Sequence, residues 1–421
     1  MRIDAYQPDG LMSCSACDGV HRIVSVPAGG KALCARCDTL LFRNIPKSLD
    51  RTAALYLAAL ILFLIANFSP FLSLRLGGRV EESWLISGGL HLLKAGMLEI
   101  GLLVLLTSVV FPFLVICGML YLLLPLKLSI RPPGTAIVWR FVRAITPWSL
   151  MGVFLLGLLV SIIKLQDLAV IIPGLGFFAF IGLLTVTTAA IVSFDPGVLW
   201  KRIGPDHRSV NGSPAGQTAA QLGYASCEVC QLLLPETGVS AGFSCPRCGS
   251  TMHGPRHGNS LSRTWAYLTT ASLLLVPANL FPVMTVVRFG QRENSTILAG
   301  VLHLIQDGAW PLGLLVFFAS IMVPITKLAS LMFLLVMVQR KSDWRRRDRT
   351  VLYRVTEALG AWSMVDIYLI SILLALLRME ELAAIYPGLG ATFFGVAIVM
   401  TMMAAHSFDQ RMIWDQGAHY D

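Results

Sequence analysis

Trp362-Ser363-Met364-Val365-Asp366-Ile367-Tyr368-Leu369-Ile370-Ser371 places one carboxylate inside an otherwise apolar stretch. The surrounding run, from about Leu352 to Leu377, is long enough to cross a bilayer, with Asp366 near its middle. An isolated ionised Asp at that depth costs roughly 2.5–3.5 kcal/mol on insertion scales. The preceding apolar run, Ile321-Met322-Val323-Pro324-Ile325-Thr326-Lys327, offers Lys327 as a partner at similar depth. Ser363, three residues before Asp366, is expected on the same side of the helix. Polar groups collected in this way predict an internal site turned away from lipid.

Outward from this stretch the composition is that of a membrane protein. Of 421 residues, 55% are hydrophobic and 14% charged, with a mean hydropathy of +0.70, whereas soluble domains carry about 25% charged residues. Four apolar runs, at roughly 52–74, 98–126, 137–164 and 172–195, precede the polar middle of the chain. The first ends in Ala66-Asn67-Phe68-Ser69-Pro70, which should break the helix there. The third closes on Lys164 and Asp167, a cation and an anion at i, i+3. Cys117, within the second run, reads as a packing residue. The first 50 residues lack an apolar core segment, so no cleavable signal peptide is expected.

Eight of the nine cysteines fall into two sets of four. Cys14-Ser15-Ala16-Cys17 and Cys34-Ala35-Arg36-Cys37 are separated by sixteen residues; Cys227-Glu228-Val229-Cys230 and Cys245-Pro246-Arg247-Cys248 by fourteen. Paired Cys-x-x-Cys knuckles at this separation suit tetrahedral thiolate binding of one zinc ion per set. Each segment is too short to hold a core, so the metal would supply most of its folding energy. The competing reading is a disulfide or redox pair, which weakens if the cysteines face the cytosol.

The chain then repeats itself. Ala66-Asn67 and Pro70 recur as Ala278-Asn279 and Pro282, His91 as His303 and Pro112 as Pro324, all 212 residues on. At an offset of 214, Trp148-Ser149 becomes Trp362-Ser363, Pro173-Gly174-Leu175-Gly176 becomes Pro387-Gly388-Leu389-Gly390, Phe194-Asp195 becomes Phe408-Asp409 and Trp200 becomes Trp414. Matches that keep register over half the chain predict an all-α polytopic membrane protein built by tandem duplication of a zinc-ribbon-like module plus four transmembrane helices, eight helices in all. The expected boundaries are 1–50 for the first zinc module, 51–200 for the first four-helix half, 201–262 for the linker and second module, 263–414 for the second half and 415–421 for the tail.

An even helix count puts both zinc modules and both termini on one side. Of the 33 Lys and Arg residues, 25 lie on that side, including the run Arg340–Arg349; only Arg75, Arg79, Lys94, Arg288 and Arg292 lie clearly on the other. The positive-inside rule makes that side cytoplasmic and the repeats parallel. The basic run, and the net charge of +9, then mark topology and lipid head groups; no nucleic acid is expected.

The halves also differ. Asp366 corresponds to Gly152, Lys327 to Val115 and His406 to Val192, while Thr401 matches Thr187 and the Lys164/Asp167 pair matches Arg378/Glu381. The second half thus gathers Lys327, Ser363, Asp366 and Thr401 at mid-membrane. The plainer reading of these groups is an ion pair that fixes helix packing. His406, near a helix end, reads as an interfacial residue.

Taken together, the two cysteine modules, both Ala-Asn-x-x-Pro and Pro-Gly-Leu-Gly motifs, Lys164-Leu165-Gln166-Asp167, Trp362–Asp366 and Ser407-Phe408-Asp409 resemble the paraquat-inducible protein A (PqiA/LetA) family. The resemblance runs from Cys14 to about Trp414. It implies a multi-pass protein of the bacterial inner membrane that works with a periplasmic, tunnel-forming MCE-domain protein to carry phospholipid between membranes. It also implies that Lys164, Asp167, Lys327, Ser363, Asp366 and Thr401 form the coupling site, a candidate proton relay. The alternative is a metal- or redox-responsive membrane scaffold that anchors the partner without moving lipid. An enzyme is not expected, since no nucleophile–base set or open metal site appears, and no Walker loop would bind ATP.

Overall fold

The computed structural model describes residues 11–76, 79–130, 132–165, 170–203, 217–235, 243–252, 260–288, 291–306, 308, 310–376 and 383–414. The chain opens with two hairpins, β1 (Leu11–Ser13) with β2 (Val20–Arg22) and β3 (Lys31–Leu33) with β4 (Leu40–Arg43), which carry the first four cysteines. The first helical half follows. It comprises α1 (Ser48–Phe68), β5 (Leu72–Leu76), β6 (Arg79–Ser83), α2 (Ser87–Lys94), α3 (Leu98–Leu105), α4 (Phe111–Lys127), α5 (Thr135–Ile145), α6 (Met151–Leu165), β7 (Val170–Pro173), α7 (Leu175–Ser193) and α8 (Pro196–Ile203). The second module contains β8 (Tyr224–Ser226) and β9 (Leu233–Pro235). The second half runs through α9 (Ser260–Leu280), β10 (Met284–Arg288), β11 (Gln291–Ser295), α10 (Ile297–Gln306), α11 (Trp310–Phe317), α12 (Val323–Gln339), α13 (Arg346–Gly360), α14 (Val365–Leu376), β12 (Ala383–Pro387) and α15 (Leu389–Ser407).

The repeated residues are the ones that clamp each half together. Ser48 Oγ donates to Ser193 O at 2.8 Å and accepts from Asp195 N at 3.0 Å, closing α1 onto the end of α7. Ser260 does the same to Ser407 O and Asp409 N at 2.6 and 3.1 Å, closing α9 onto α15. At the opposite end, Gly174 and Gly388 lie directly on the backbone that ends α1 and α9. A Cβ on either would come within 2.2 Å of the carbonyl oxygen of Pro70 or Pro282, so the Ala-Asn-x-x-Pro and Pro-Gly-Leu-Gly motifs recur because each packs against the other.

Among the described residues, seven helical stretches are long and apolar enough to cross a membrane: Ser48–Phe68, Leu98–Lys127, Thr135–Ile163, Leu175–Ser193, Gly313–Gln339, Arg346–Ile372 and Leu389–Ser407. The chain is a multi-pass membrane protein. The eighth helix expected from the sequence, α9, has the length but not the apolarity, because Arg263, Thr264, Thr269, Thr270 and Ser272 dilute it. It still packs along α15 as α1 packs along α7. Its hydroxyls are absorbed internally: Thr269, Thr270 and Ser272 donate to Trp265 O, Ala266 O and Leu268 O at 2.8–2.9 Å.

Two further departures matter for the site. The long helices are interrupted at equivalent places, by single π-helical turns at Leu106–Val110 and Phe318–Met322 and by 3-10 turns at Thr146–Trp148 and Ala361–Met364. Each π turn is followed by a proline at the start of the next helix, Pro112 or Pro324, whose missing N–H the wider turn accommodates. The loops expected between the helices also hold two antiparallel three-stranded sheets, ordered β6-β5-β7 and β11-β10-β12. Apart from these sheets the membrane halves are helical, as the sequence pattern implies.

The cysteine modules are exchanged. The first docks on the second half: the Arg36 guanidinium lies 4.7 Å from the Trp414 ring centre, Arg354 donates to Cys37 O at 3.3 Å and to Thr39 Oγ1, and Arg347 pairs with Asp38. The second docks on the first half: Arg247 lies 5.4 Å from the Trp200 ring, and Arg140 and Arg143 donate to Gly249 O and Val229 O at 2.9 and 2.7 Å. Arg140 and Trp200 are the repeat equivalents of Arg354 and Trp414, so the two docking modes mirror each other.

Candidate functional site

In each cysteine module the four Sγ atoms lie within 4.8 Å of one another, all buried. Cys14 and Cys37, and Cys17 and Cys34, are 3.5 Å apart; Cys230 and Cys245 are 3.6 Å apart. A disulfide needs about 2.05 Å, whereas a tetrahedral ion with metal–sulfur bonds of about 2.3 Å sets sulfur–sulfur edges of about 3.8 Å. All eight cysteines are free of disulfides. Each knuckle is turned by the residue after its second cysteine, with positive φ at Asp18, Asp38, Gln231 and Gly249. That residue's N–H returns to the carbonyl of the first cysteine at 2.8–2.9 Å. The sulfurs are held by further polar groups, His21 Nε2 at 3.1 Å from Cys34 and Ser250 Oγ at 3.2 and 3.0 Å from Cys227 and Cys248. Cys14 and Cys17 beside it hold the Cys34 pKa down to about 6. The donor set fits a metal ion that favours thiolates.

Within the membrane halves, Lys327 is buried on α12 and donates from Nζ to Thr401 Oγ1 on α15 at 3.0 Å. Thr401 in turn donates to Ile398 O at 2.7 Å. The amine lies beside Gly360, where an added Cβ would come within 2.8 Å of Nζ, so glycine there makes room for it. Asp366 is six residues further on, about 10 Å along the axis. Among the described residues no ion pair joins Lys327 to Asp366, which corrects the partnership expected from their depth. Ser363, on the intervening 3-10 turn, is buried, and its Oγ has no hydrogen-bond partner among the described residues.

Asp366 follows a 3-10 turn within the helical stretch Arg346–Ile372, as the second residue of α14. It lines a narrow, mainly apolar pocket with Leu369 and Ile370 of the same helix, Ile297 of α10, Val316 of α11 and, from the other half, Val160 of α6. The floor of α14 is fixed to the first half by Tyr368, which is wholly buried and donates to Thr107 Oγ1 at 2.7 Å across the interface. Phe154 meets the Tyr368 ring at 5.3 Å. Gly88 and Gly157 let α2 and α6 approach α14 to the point where a Cβ would touch Ser371 or Tyr368.

The structure therefore brings Lys327 and Thr401 into contact and places Ser363 between them and Asp366. Lys164 belongs to α6, and Asp167 lies outside the described residues. Sequence reasoning passed over Ser320, buried on the π turn with no hydrogen-bond partner among the described residues. It also passed over the Tyr368–Thr107 bond. Pro324 was a signal for the first, since it forces the turn; nothing in the sequence pairs Tyr368 with a residue 261 positions away.

A family model described as paraquat-inducible protein A matches the chain twice, over residues 49–204 and 261–417. The intermembrane transport protein PqiA of Escherichia coli (strain K12) is 32% identical over 403 residues, covering 96% of this chain and 95% of that protein. The lipophilic envelope-spanning tunnel protein A of the same strain is 30% identical, covering 96% and 90%. A probable intermembrane transport protein of Haemophilus influenzae is 27% identical, covering 97% and 96%. No solved structure matches the chain. The chain belongs to the paraquat-inducible protein A family.

Proposed function

We propose that this protein is the inner-membrane component of an intermembrane phospholipid transport system, driven by protonation of Asp366 and serving a periplasmic MCE-domain partner. The observation that carries the reading is the apolar pocket between the halves, with a buried carboxylate in its wall. Side chains such as Val160, Ile297, Val316 and Ile370 suit acyl chains. Relatives named for intermembrane transport and for a lipophilic envelope-spanning tunnel indicate the same class of cargo. An ionised Asp366 favours a hydrated, open pocket, and a neutral one a dry, closed pocket. The difference of roughly 2.5–3.5 kcal/mol between charged and neutral carboxyl in apolar surroundings shifts such an equilibrium about a hundredfold. Lys327, Thr401 and Ser363 would pass the proton, with Lys164 and Asp167 completing the path on the first half. The chain itself would catalyse no covalent chemistry.

In this reading the cysteine modules hold one zinc ion each and, with both termini, face the cytoplasm, on the side rich in Lys and Arg. They act as structural caps. Photo-crosslinking with a diazirine-labelled phosphatidylethanolamine is expected to mark Ile297, Val316 and Leu369 in the purified protein. Labelling confined to the lipid-facing Leu57, Ile61 and Leu273 would leave the scaffold reading standing. An impermeant thiol reagent applied from the periplasm is expected to reach Trp84→Cys and not Lys341→Cys; the reverse would invert the topology.

A further inference from the structure

A second, larger hollow of about 600 Å³ lies at the other end of α13 and α15, open to solvent and lined by both cysteine modules and the helix ends beneath them. Glu357 of α13 and His406 of α15 line it and are exposed there. His406, assigned by sequence to an interfacial position, thus faces this chamber. The remaining charged groups on the walls are Arg143, Arg263, Glu228, Asp409 and Arg411. Arg411 is held by Asp409 at 2.9 Å and by Glu228, and Arg143 is engaged by a backbone carbonyl. Glu357 makes no ion pair among the described residues, so it and His406 are the chamber's proton-carrying side chains left outside the Arg411 cluster.

Below them the path is short. Glu357 is one helical turn from Gly360, which lies against the Lys327 amine. His406 is five residues from Thr401, which accepts from that amine. Five residues of helix span about 7.5 Å along the axis. The equivalent line in the first half is broken: Arg143, Val192 and Val115 stand where Glu357, His406 and Lys327 do. The bundle folds without the polar line, so folding does not account for it.

We propose that the chamber between the cysteine modules is the port through which protons reach the membrane site, with Glu357 and His406 as the first groups to carry them. This rests on the relay reading of Asp366. A hydronium ion in the chamber gives its proton to the Glu357 carboxylate or the His406 imidazole and returns to water; the proton then passes through bridging water to the Lys327 amine when that amine carries its lone pair. The carrier returns to its starting charge, and Lys327 becomes an ammonium that donates to Thr401.

The test uses the full, metal-loaded chain in phosphatidylethanolamine/phosphatidylglycerol vesicles with a pH-sensitive dye inside. Glu357→Gln/His406→Gln is expected to slow proton movement about tenfold or more, the scale of losing a proton-transfer group, and imidazole in the buffer is expected to restore it. Thermal unfolding and metal content should match the unmodified chain, and imidazole rescue distinguishes proton transfer from a structural role. If Asp366→Asn stops proton movement while the double variant conducts normally, the port is overturned and the relay stands. A slowed double variant that imidazole does not rescue also overturns the port. If the unmodified chain moves no protons, or Asp366→Asn moves them normally, both readings fall.

Discussion

The two helical halves share their clamps and differ in their polar interior. Ser48 and Ser260 tie the same helix ends, Gly174 and Gly388 admit the same carbonyls, and the π and 3-10 breaks fall at matching positions. Where the first half has Val115, Gly152, Phe154 and Val192, the second has Lys327, Asp366, Tyr368 and His406. The first half folds into the same arrangement with apolar residues, so the fold does not require the polar ones. A buried amine and carboxyl group that folding does not need, and that apolar residues could replace, are best explained by what they do.

The largest effects are expected where both halves depend on the same device. Cys245→Ser removes one of four thiolates from a module with little core of its own; structural zinc contributes about 10–16 kcal/mol to such folds. Metal content should fall from two ions to one per chain by elemental analysis, with loss of abundance. Loss of both ions would show the modules to be coupled. Gly174→Ala and Gly388→Ala should each cost about 3 kcal/mol through overpacking against Pro70 or Pro282. Thermal denaturation in detergent checks this, and a large difference between the two variants would break the equivalence of the halves.

Below these come the changes that separate the halves. Asp366→Asn should leave abundance near normal and reduce lipid transfer about a hundredfold, by fixing the carboxyl site in one charge state. Lys327→Met should act similarly on transfer, since it leaves no amine beside Gly360. Val115→Lys, which brings an amine into the half that lacks this line, should instead reduce abundance, because burying an unpaired cation costs about 2.5–3.5 kcal/mol. Equal loss of abundance in Lys327→Met and Val115→Lys would return Lys327 to a packing role. The smallest effect is expected from Tyr368→Phe, which copies Phe154 and forfeits one hydrogen bond to Thr107, about 1 kcal/mol.

The repeat offsets made the frame readable, because the residues that keep register are those that clamp helices. Both cysteine sets were readable from spacing alone. The sheets were not, since Leu72-Ser73-Leu74-Arg75-Leu76 alternates for only five residues and merges with the apolar run before it. The position of Asp366 was half readable: its burial followed from the apolar run, but the break before it did not, because Ala361–Met364 contains no proline or glycine. Depth along the sequence therefore suggested a Lys327 partnership that the 3-10 turn moves apart. The exchange of the modules could not be read at all, since two similar modules and two similar halves fit together in either order.

That exchange sets a timetable for synthesis. Cys37 meets Arg354 across 317 residues, so the first module leaves the ribosome long before its seat exists. At about 5–20 residues per second the wait is roughly 15 to 60 s, during which its thiols must capture metal unaided or meet oxidants and proteases. The second module has no such delay, because Arg140 and Trp200 are already in place when Cys248 emerges. A chain cut between the halves would leave each membrane half holding the anchor for the other's module, so the two pieces would have to find each other to be complete.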